Sequence, residues 1–256
     1  MLNYSPTPLM APTSHYDKQK ADYAVNFIEC LKHTKGDFYN KPFLLLDWQE
    51  RIIRDLFGVI KPNGYRQFTT SYIECPKKQG KTELAAAVAL LMTCGDGEQR
   101  AEVFSAAADR QQASIIFMVA ADMVRLCPAL NARCKILDSQ KRIVYKPTNS
   151  FYQVLSADAP SKHGFSIHCL CFDELHTQPN DKLFNISRIS ATSCGRVRTN
   201  PAGIWSRMNM TIVSLRHWKK RIYSASWLRP STLPACTKSM WQRSSLPQPG
   251  SRRARR

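Results

Sequence analysis

The chain has 256 residues, 43% of them hydrophobic, which suffices for one large or two small domains and excludes a wholly disordered protein. Its net charge of +18 is unevenly placed: residues 1–180 carry 21 Lys/Arg against 18 Asp/Glu, whereas residues 181–256 carry 16 against one. The first part is therefore nearly neutral, and the charge does not mark it as a basic nucleic-acid-binding domain.

Nine cysteines, an odd number, are scattered without a CxxC pair, which points to reduced thiols in a cytosolic protein. They form no four-ligand zinc set with the six histidines. The start, Met1 to Ser14, lacks a basic segment followed by an apolar core, and the longest apolar run, Leu84 to Met92, is too short to span a bilayer. A soluble cytoplasmic protein is expected.

Residues 1–16, with Pro6, Pro8 and Pro12, read as an extended arm. From Asp17 the positions Ala21, Ala24, Val25, Ile28 and Leu31 follow helical spacing toward a stop at Lys35-Gly36. Asp47 can cap a second helix with Ile52, Ile53, Leu56 and Phe57 on its core face. Gln49 sits in its first turn, and a glutamine amide can pair with both the donor and the acceptor edge of adenine. The same residue on its own reads equally as a solvated first-turn side chain.

Tyr72 to Ala87 then runs from a strand through a Lys/Gly-containing turn, Cys75-Pro76-Lys77-Lys78-Gln79-Gly80-Lys81-Thr82, into an alanine-rich helix. This is the layout of a phosphate-binding loop. Gly80 allows close backbone approach, Lys81 reaches the β/γ-phosphates, Thr82 serves Mg2+, and the helix start is an anion site. The full pattern asks for Gly where Cys75 stands.

Further on, Glu102 to Ala106 is a strand candidate and Asp109 to Leu126 a helix candidate. Cys134 to Leu137 and Arg142 to Tyr145 read as a hairpin joined by residues 138–141, and Phe151 to Leu155 is another strand. Alternating strands and helices predict an α/β fold: a three-layer arrangement with a mostly parallel sheet. The apolar run Ile167 to Phe172 ends in Asp173-Glu174, and ligands bind at strand tips in such sheets. There Asp173 can hold Mg2+ while Glu174 polarises a water for in-line attack on the γ-phosphate.

The order of these motifs resembles the ATPase domain of large terminase subunits, the DNA-packaging motors of tailed bacteriophages. The residues that carry the resemblance are Leu46 to Gln49, Gly64 to Phe68, Cys75 to Thr82, Ala106 to Ala113, Leu155 to Asp158 and Phe172 to His176, within about residues 17–180. That family writes its loop as Pro-basic-Lys-x-Gly-Lys-Ser/Thr, so Cys75 is no obstacle. The resemblance implies a P-loop NTPase of the additional-strand, RecA-like type that uses ATP and Mg2+ and assembles into a homo-oligomeric ring. Its expected partners are double-stranded DNA, the small terminase subunit and the portal protein, with no membrane, in a host cell or a bacterium carrying a prophage. It implies that Lys78, Gln79, Gly80, Lys81 and Thr82 bind phosphate, that Thr82 and Asp173 hold Mg2+, that Glu174 is the catalytic acid, and that Gln49 reads adenine. A trans-acting arginine is expected too, with Arg133 and Arg142 among the candidates. Two alternatives remain. Asp173-Glu174-Leu175-His176 is also a DExH box of helicase-like ATPases, although no length is left for a second motor domain. A non-catalytic basic DNA-binding protein is the other.

The expected organisation is an arm (1–16), an ATPase domain incomplete at its C-terminal side (17–184), and a basic tail (185–256) in place of the family's nuclease domain. No acid follows Asp181, and residues 186–256 show no sustained period of 2 or 3.6. The family continues with an apolar strand closing on a Thr-Thr-Ala-Gly-like coupling motif, and its absence predicts an open sheet flank and impaired packaging. The tail reads either as a DNA-binding arm with tryptophans for stacking or as an out-of-frame segment, the reading preferred on its tryptophan content. On that reading, the coding DNA in one of its other frames beyond Asn185 yields the apolar strand and the coupling motif. Sequencing checks this, and the absence of both rejects it.

Overall fold

The protein is described from a computed structural model that covers residues 4–75, 79–106, 110–155, 166–173 and 210–215. The first helix, α1 (Lys18–Glu29), starts where the Asp17 carboxylate accepts the Lys20 amide at 3.1 Å, and it buries Ala21, Ala24, Val25, Phe27 and Ile28. It packs against α2 (Asp47–Gly58), which starts at Asp47 itself, with Leu46 in the capping position. Arg54 of α2 joins the two helices, reaching Asp22 and Glu50 at 2.7 Å each.

The arm is strapped down. Strand β1 (His15–Tyr16) pairs antiparallel with β2 (Val59–Ile60), just after α2. The Tyr4 hydroxyl donates to Asp55, and Gln67 holds the arm twice, accepting from the Ala11 amide and donating to the Leu9 carbonyl at 2.9 Å each. Gly58 is required here, because a Cβ on it would lie 2.5 Å from the Tyr16 ring.

Seven strands form the central sheet: β3 (Thr70–Glu74), β4 (Glu102–Ala106), β5 (Cys134–Leu137), β6 (Arg142–Tyr145), β7 (Ser150–Leu155), β8 (Ile167–Asp173) and β9 (Met210–Leu215), in the order β3-β9-β8-β4-β7-β6-β5. Helix α3 (Lys81–Leu90) follows β3, and α4 (Arg110–Leu126) follows β4. A short α5 (Pro128–Asn131) leads into β5. Helices α3 and α4 pack on one another and on the sheet. Phe104, Leu155, Leu170 and Phe172 form a buried cluster within the sheet, with the Phe104 and Phe151 rings edge to face at 5.6 Å. β8 reads as a continuous apolar run because it lies between other strands.

The expected mostly parallel sheet is corrected to a mixed one. Only β4 runs parallel to its two neighbours, β7 and β8, while every other pairing is antiparallel. One cause is the β5–β6 hairpin, which the sequence does announce. The other is β9, which fills the flank beside β8 that the sequence leaves open. Its run Met210-Thr211-Ile212-Val213-Ser214-Leu215 is rich in β-branched residues but is embedded in an Arg- and Ser-rich segment that masks it.

Beneath the sheet's other end lies a buried ionic cluster. α3 continues into a π-helical turn, Leu91–Gly95, that delivers Asp96 to Arg66 and His168. The Arg66 guanidinium donates to both carboxylate oxygens, at 3.0 and 3.2 Å, and His168 Nε2 lies 2.7 Å from the second. All three are buried, and the Arg66 guanidinium also sits 5.2 Å from the Phe57 ring. Burial opposes the Asp96 charge, yet Arg66 and His168 outweigh it and hold the carboxyl below the usual carboxylate range.

Asp96→Ala leaves a buried guanidinium without its counter-ion, and urea unfolding is expected to register a loss of about 3–5 kcal/mol. In the unmutated chain the Asp96 contribution is intact above the unfolded-state value of ~3.9 and disappears as pH falls through the lower native value. The variant should lack that component of the acid dependence.

Candidate functional site

β3 and β8 are each antiparallel to β9 and therefore run the same way, and β4 and β7 run parallel to β8. Their C-terminal residues, Glu74, Ala106, Leu155 and Asp173, consequently meet at one edge of the sheet. Thr211 pairs with Ile73 on one side and with Asp173 on the other. Two inter-strand spacings thus separate the end of β3 from the acid of β8, about 10 Å.

The chain leaves this edge after Cys75 and enters α3 through Gly80, which is left-handed at φ 76° and ψ 21°. Glycine occupies that region at no steric cost. The next residues, Lys81 and Thr82, open the helix with their backbone in its first turn, where N–H groups have no intrahelical partner and the helix dipole is positive. From Leu84 to Leu90 every residue of α3 is buried, so the helix is fixed by its length and presents only its start.

Lys81 is the chemically exceptional residue of that turn. Its Nζ is buried and has no hydrogen-bond partner among the described residues. The side chain borders an apolar hollow formed with Ile53 and Leu56 of α2, Ile73 of β3, and Leu84 and Val88 of α3. Its charge reaches Cys75, whose thiol is pushed up by burial and pulled back by the lysine. A buried ammonium without acceptors is a costly arrangement that an anionic ligand would relieve.

The other expected site residues fall into three groups. Gln79 is exposed and Thr82 half-buried beside the loop, while Gln49 is 2% exposed and points its amide at Gly80. Asp173 ends β8 at the site edge. Lys78 and Glu174 lie outside the described residues. Of the candidate trans-acting arginines, Arg133 donates to the Ala129 carbonyl at 2.9 Å and Arg142 stacks 3.8 Å from the Phe151 ring centre, so both are engaged within the chain. Asp96 and His168 were not anticipated as a unit. A lone acid between two glycines and a lone histidine in an apolar strand give no signal that they meet.

An α/β domain with a left-handed glycine, an unpaired buried lysine and a helix start at the C-terminal edge of its sheet is the class defined by fold and site together. Residues 47–201 match the family described as terminase large subunit, ATPase domain. The chain belongs to that family. The match begins at α2 and crosses the expected boundary at 184. Over 158 residues the chain is 36% identical to the terminase large subunit of Enterobacteria phage HK97, covering 60% of this chain and 30% of that protein. The crystal structure of the HK97 bacteriophage large terminase aligns with a TM-score of 0.48 at 28% identity, over 58% of this chain and 29% of that one. Among the described residues, no helix is long and apolar enough to cross a membrane.

Lys81→Met keeps the aliphatic stem in the hollow and removes the unpaired charge. In the absence of ligand it is expected to raise stability by about 1–3 kcal/mol in urea unfolding, the reverse of an ordinary core substitution.

Proposed function

We propose that this chain is the ATP-binding and ATP-hydrolysing part of a phage DNA-packaging terminase large subunit, built as a three-layer P-loop NTPase of the additional-strand type. The observation that carries the reading is the buried, unpartnered Lys81 amine at the start of α3, within a family match that spans both the loop and the acid-tipped strand. In this reading the loop residues Lys78, Gln79 and Gly80 and the first-turn amides surround the triphosphate, and Lys81 neutralises its β- and γ-oxygens.

Thr82 and Asp173 fit Mg2+ by donor type, since a hydroxyl and a carboxylate are the hard oxygen ligands this ion takes. Bound there, Mg2+ would supply charge neutralisation of the phosphates. Glu174, following Asp173 in the chain, is the proposed base that orients and deprotonates the attacking water. The separation of about 10 Å between the end of β3 and the acid of β8 leaves width for a triphosphate between the loop and the acids. Double-stranded DNA, the portal, the small subunit and neighbouring copies in a ring are the partners this role requires.

Mg-ATP is expected to raise the thermal midpoint of the unmutated chain, by an amount equivalent to about 2.7 kcal/mol at a hundredfold excess over Kd. Lys81→Ala should abolish the shift. Glu174→Gln should retain it while phosphate release falls by at least about 100-fold. An unmutated chain whose midpoint does not respond to Mg-ATP refutes the proposal.

A further inference from the structure

We propose that Gln49 is a positioning residue of the phosphate loop, holding Gly80 in place through its carboxamide, and that it does not select the base. The inference rests on the nucleotide-site reading above and assigns this residue a different task within it. Gln49 lies in the first turn of α2 and is 2% exposed. Its Oε1 accepts the Leu46 backbone N–H at 3.0 Å, which ties one end of the carboxamide to its own helix start. Its Nε2 faces the loop, 3.3 Å from where a Cβ on Gly80 would stand.

Reading the adenine edge requires the oxygen and the nitrogen of one carboxamide to address the base together. Here the oxygen addresses Leu46 and the nitrogen addresses Gly80, so the two ends of the group are committed to protein in opposite directions. The loop, in turn, needs what this group provides. Gly80 sits at φ 76°, and a glycine crosses to negative φ as readily as it holds positive φ. Such a crossing would swing the Lys81 and Thr82 amides away from a common point. A buried amide packed on Gly80 blocks that movement, as tightly packed surroundings do for any backbone held in one of several accessible states. Lys81 is the adjacent residue, so its alignment depends on the same brace.

The test compares Mg-ATP, Mg-GTP and inorganic tripolyphosphate binding to the full chain and to Gln49→Glu, which keeps Oε1 for Leu46 and replaces the nitrogen facing Gly80 with a carboxylate oxygen. A brace predicts that all three ligands weaken by one shared factor, about tenfold or more, with the unliganded thermal midpoint unchanged. Amide hydrogen exchange at Lys81 and Thr82 should also quicken in the variant. Should Gln49→Glu fail to fold, Gln49→Met, of similar length and volume, is measured in its place with the same expected pattern. Weakened ATP binding with GTP and tripolyphosphate unchanged would identify a base reader and overturn the proposal, as would binding unchanged for all three. If the unmutated chain binds none of the three, the nucleotide-site reading itself falls, a result distinct from a variant that binds like the unmutated chain.

Discussion

The contact on which the rest of the architecture depends is the buried Asp96 carboxylate held between Arg66 and His168. It joins three segments that are remote in sequence: the approach to β3, the exit from α3, and the first residues of β8. Each of these elements ends or begins at the nucleotide edge, so fixing their far ends fixes where the loop and the acid emerge. Asp96 lies 15 residues beyond Lys81 along a helix and its π-helical extension, roughly 20 Å away at a helical rise. His168 lies five residues before Asp173, about 17 Å along a strand. Helix and strand thus act as two struts of comparable length rising from one ionic base. Charges buried this deeply tolerate no misplacement, because a carboxylate that loses its guanidinium leaves two desolvated groups uncompensated.

Between these struts stands β9, whose part is spacing. Its antiparallel insertion keeps β3 and β8 one strand apart while leaving them mutually parallel, so the loop and the acid face each other across a gap instead of lying side by side. Directly paired strands would bring Ile73 and Asp173 to about 5 Å, the width of a single hydrogen-bonded ladder. With Thr211 paired to both, the gap doubles. The central position of β9 in this half of the sheet also leaves β3, rather than β8, as the sheet's edge on that side.

Much of this frame is legible in the sequence. The strand and helix periods place Glu102–Ala106, Cys134–Leu137, Arg142–Tyr145 and the helix through Leu126 because each is stabilised by its own pattern of burial. Gly80-Lys81 is legible for a related reason: a left-handed residue at a helix start demands glycine, and the demand is written locally. What escapes is long-range. Met210–Leu215 forms a strand only because two other strands offer it their edges, and nothing in its neighbours announces that. The same holds for Asp96 and His168, 72 residues apart and ordinary until they touch. Gln49 is an intermediate case. Its position at a helix start was evident, but whether its amide faces a base or a backbone depends on where Gly80 comes to rest, which only the packed structure fixes.

The burial of α3 explains why an unpaired ammonium can persist beside the loop. A helix whose middle is Leu84-Ala85-Ala86-Ala87-Val88-Ala89-Leu90 has no polar face, and its small side chains let it lie close to α4 and β8. That hydrophobic burial, about 25 cal/mol for each Å² of apolar surface removed from water, falls on residues 84–90 and not on the first turn. The first turn is therefore free of any packing role, and Lys81 can be kept without a protein partner at a cost that the rest of the helix offsets. An acceptor supplied by the protein would satisfy the amine and weaken its hold on an incoming anion. The same division of labour accounts for the brace at Gly80, since a turn released from packing needs another means of holding its conformation.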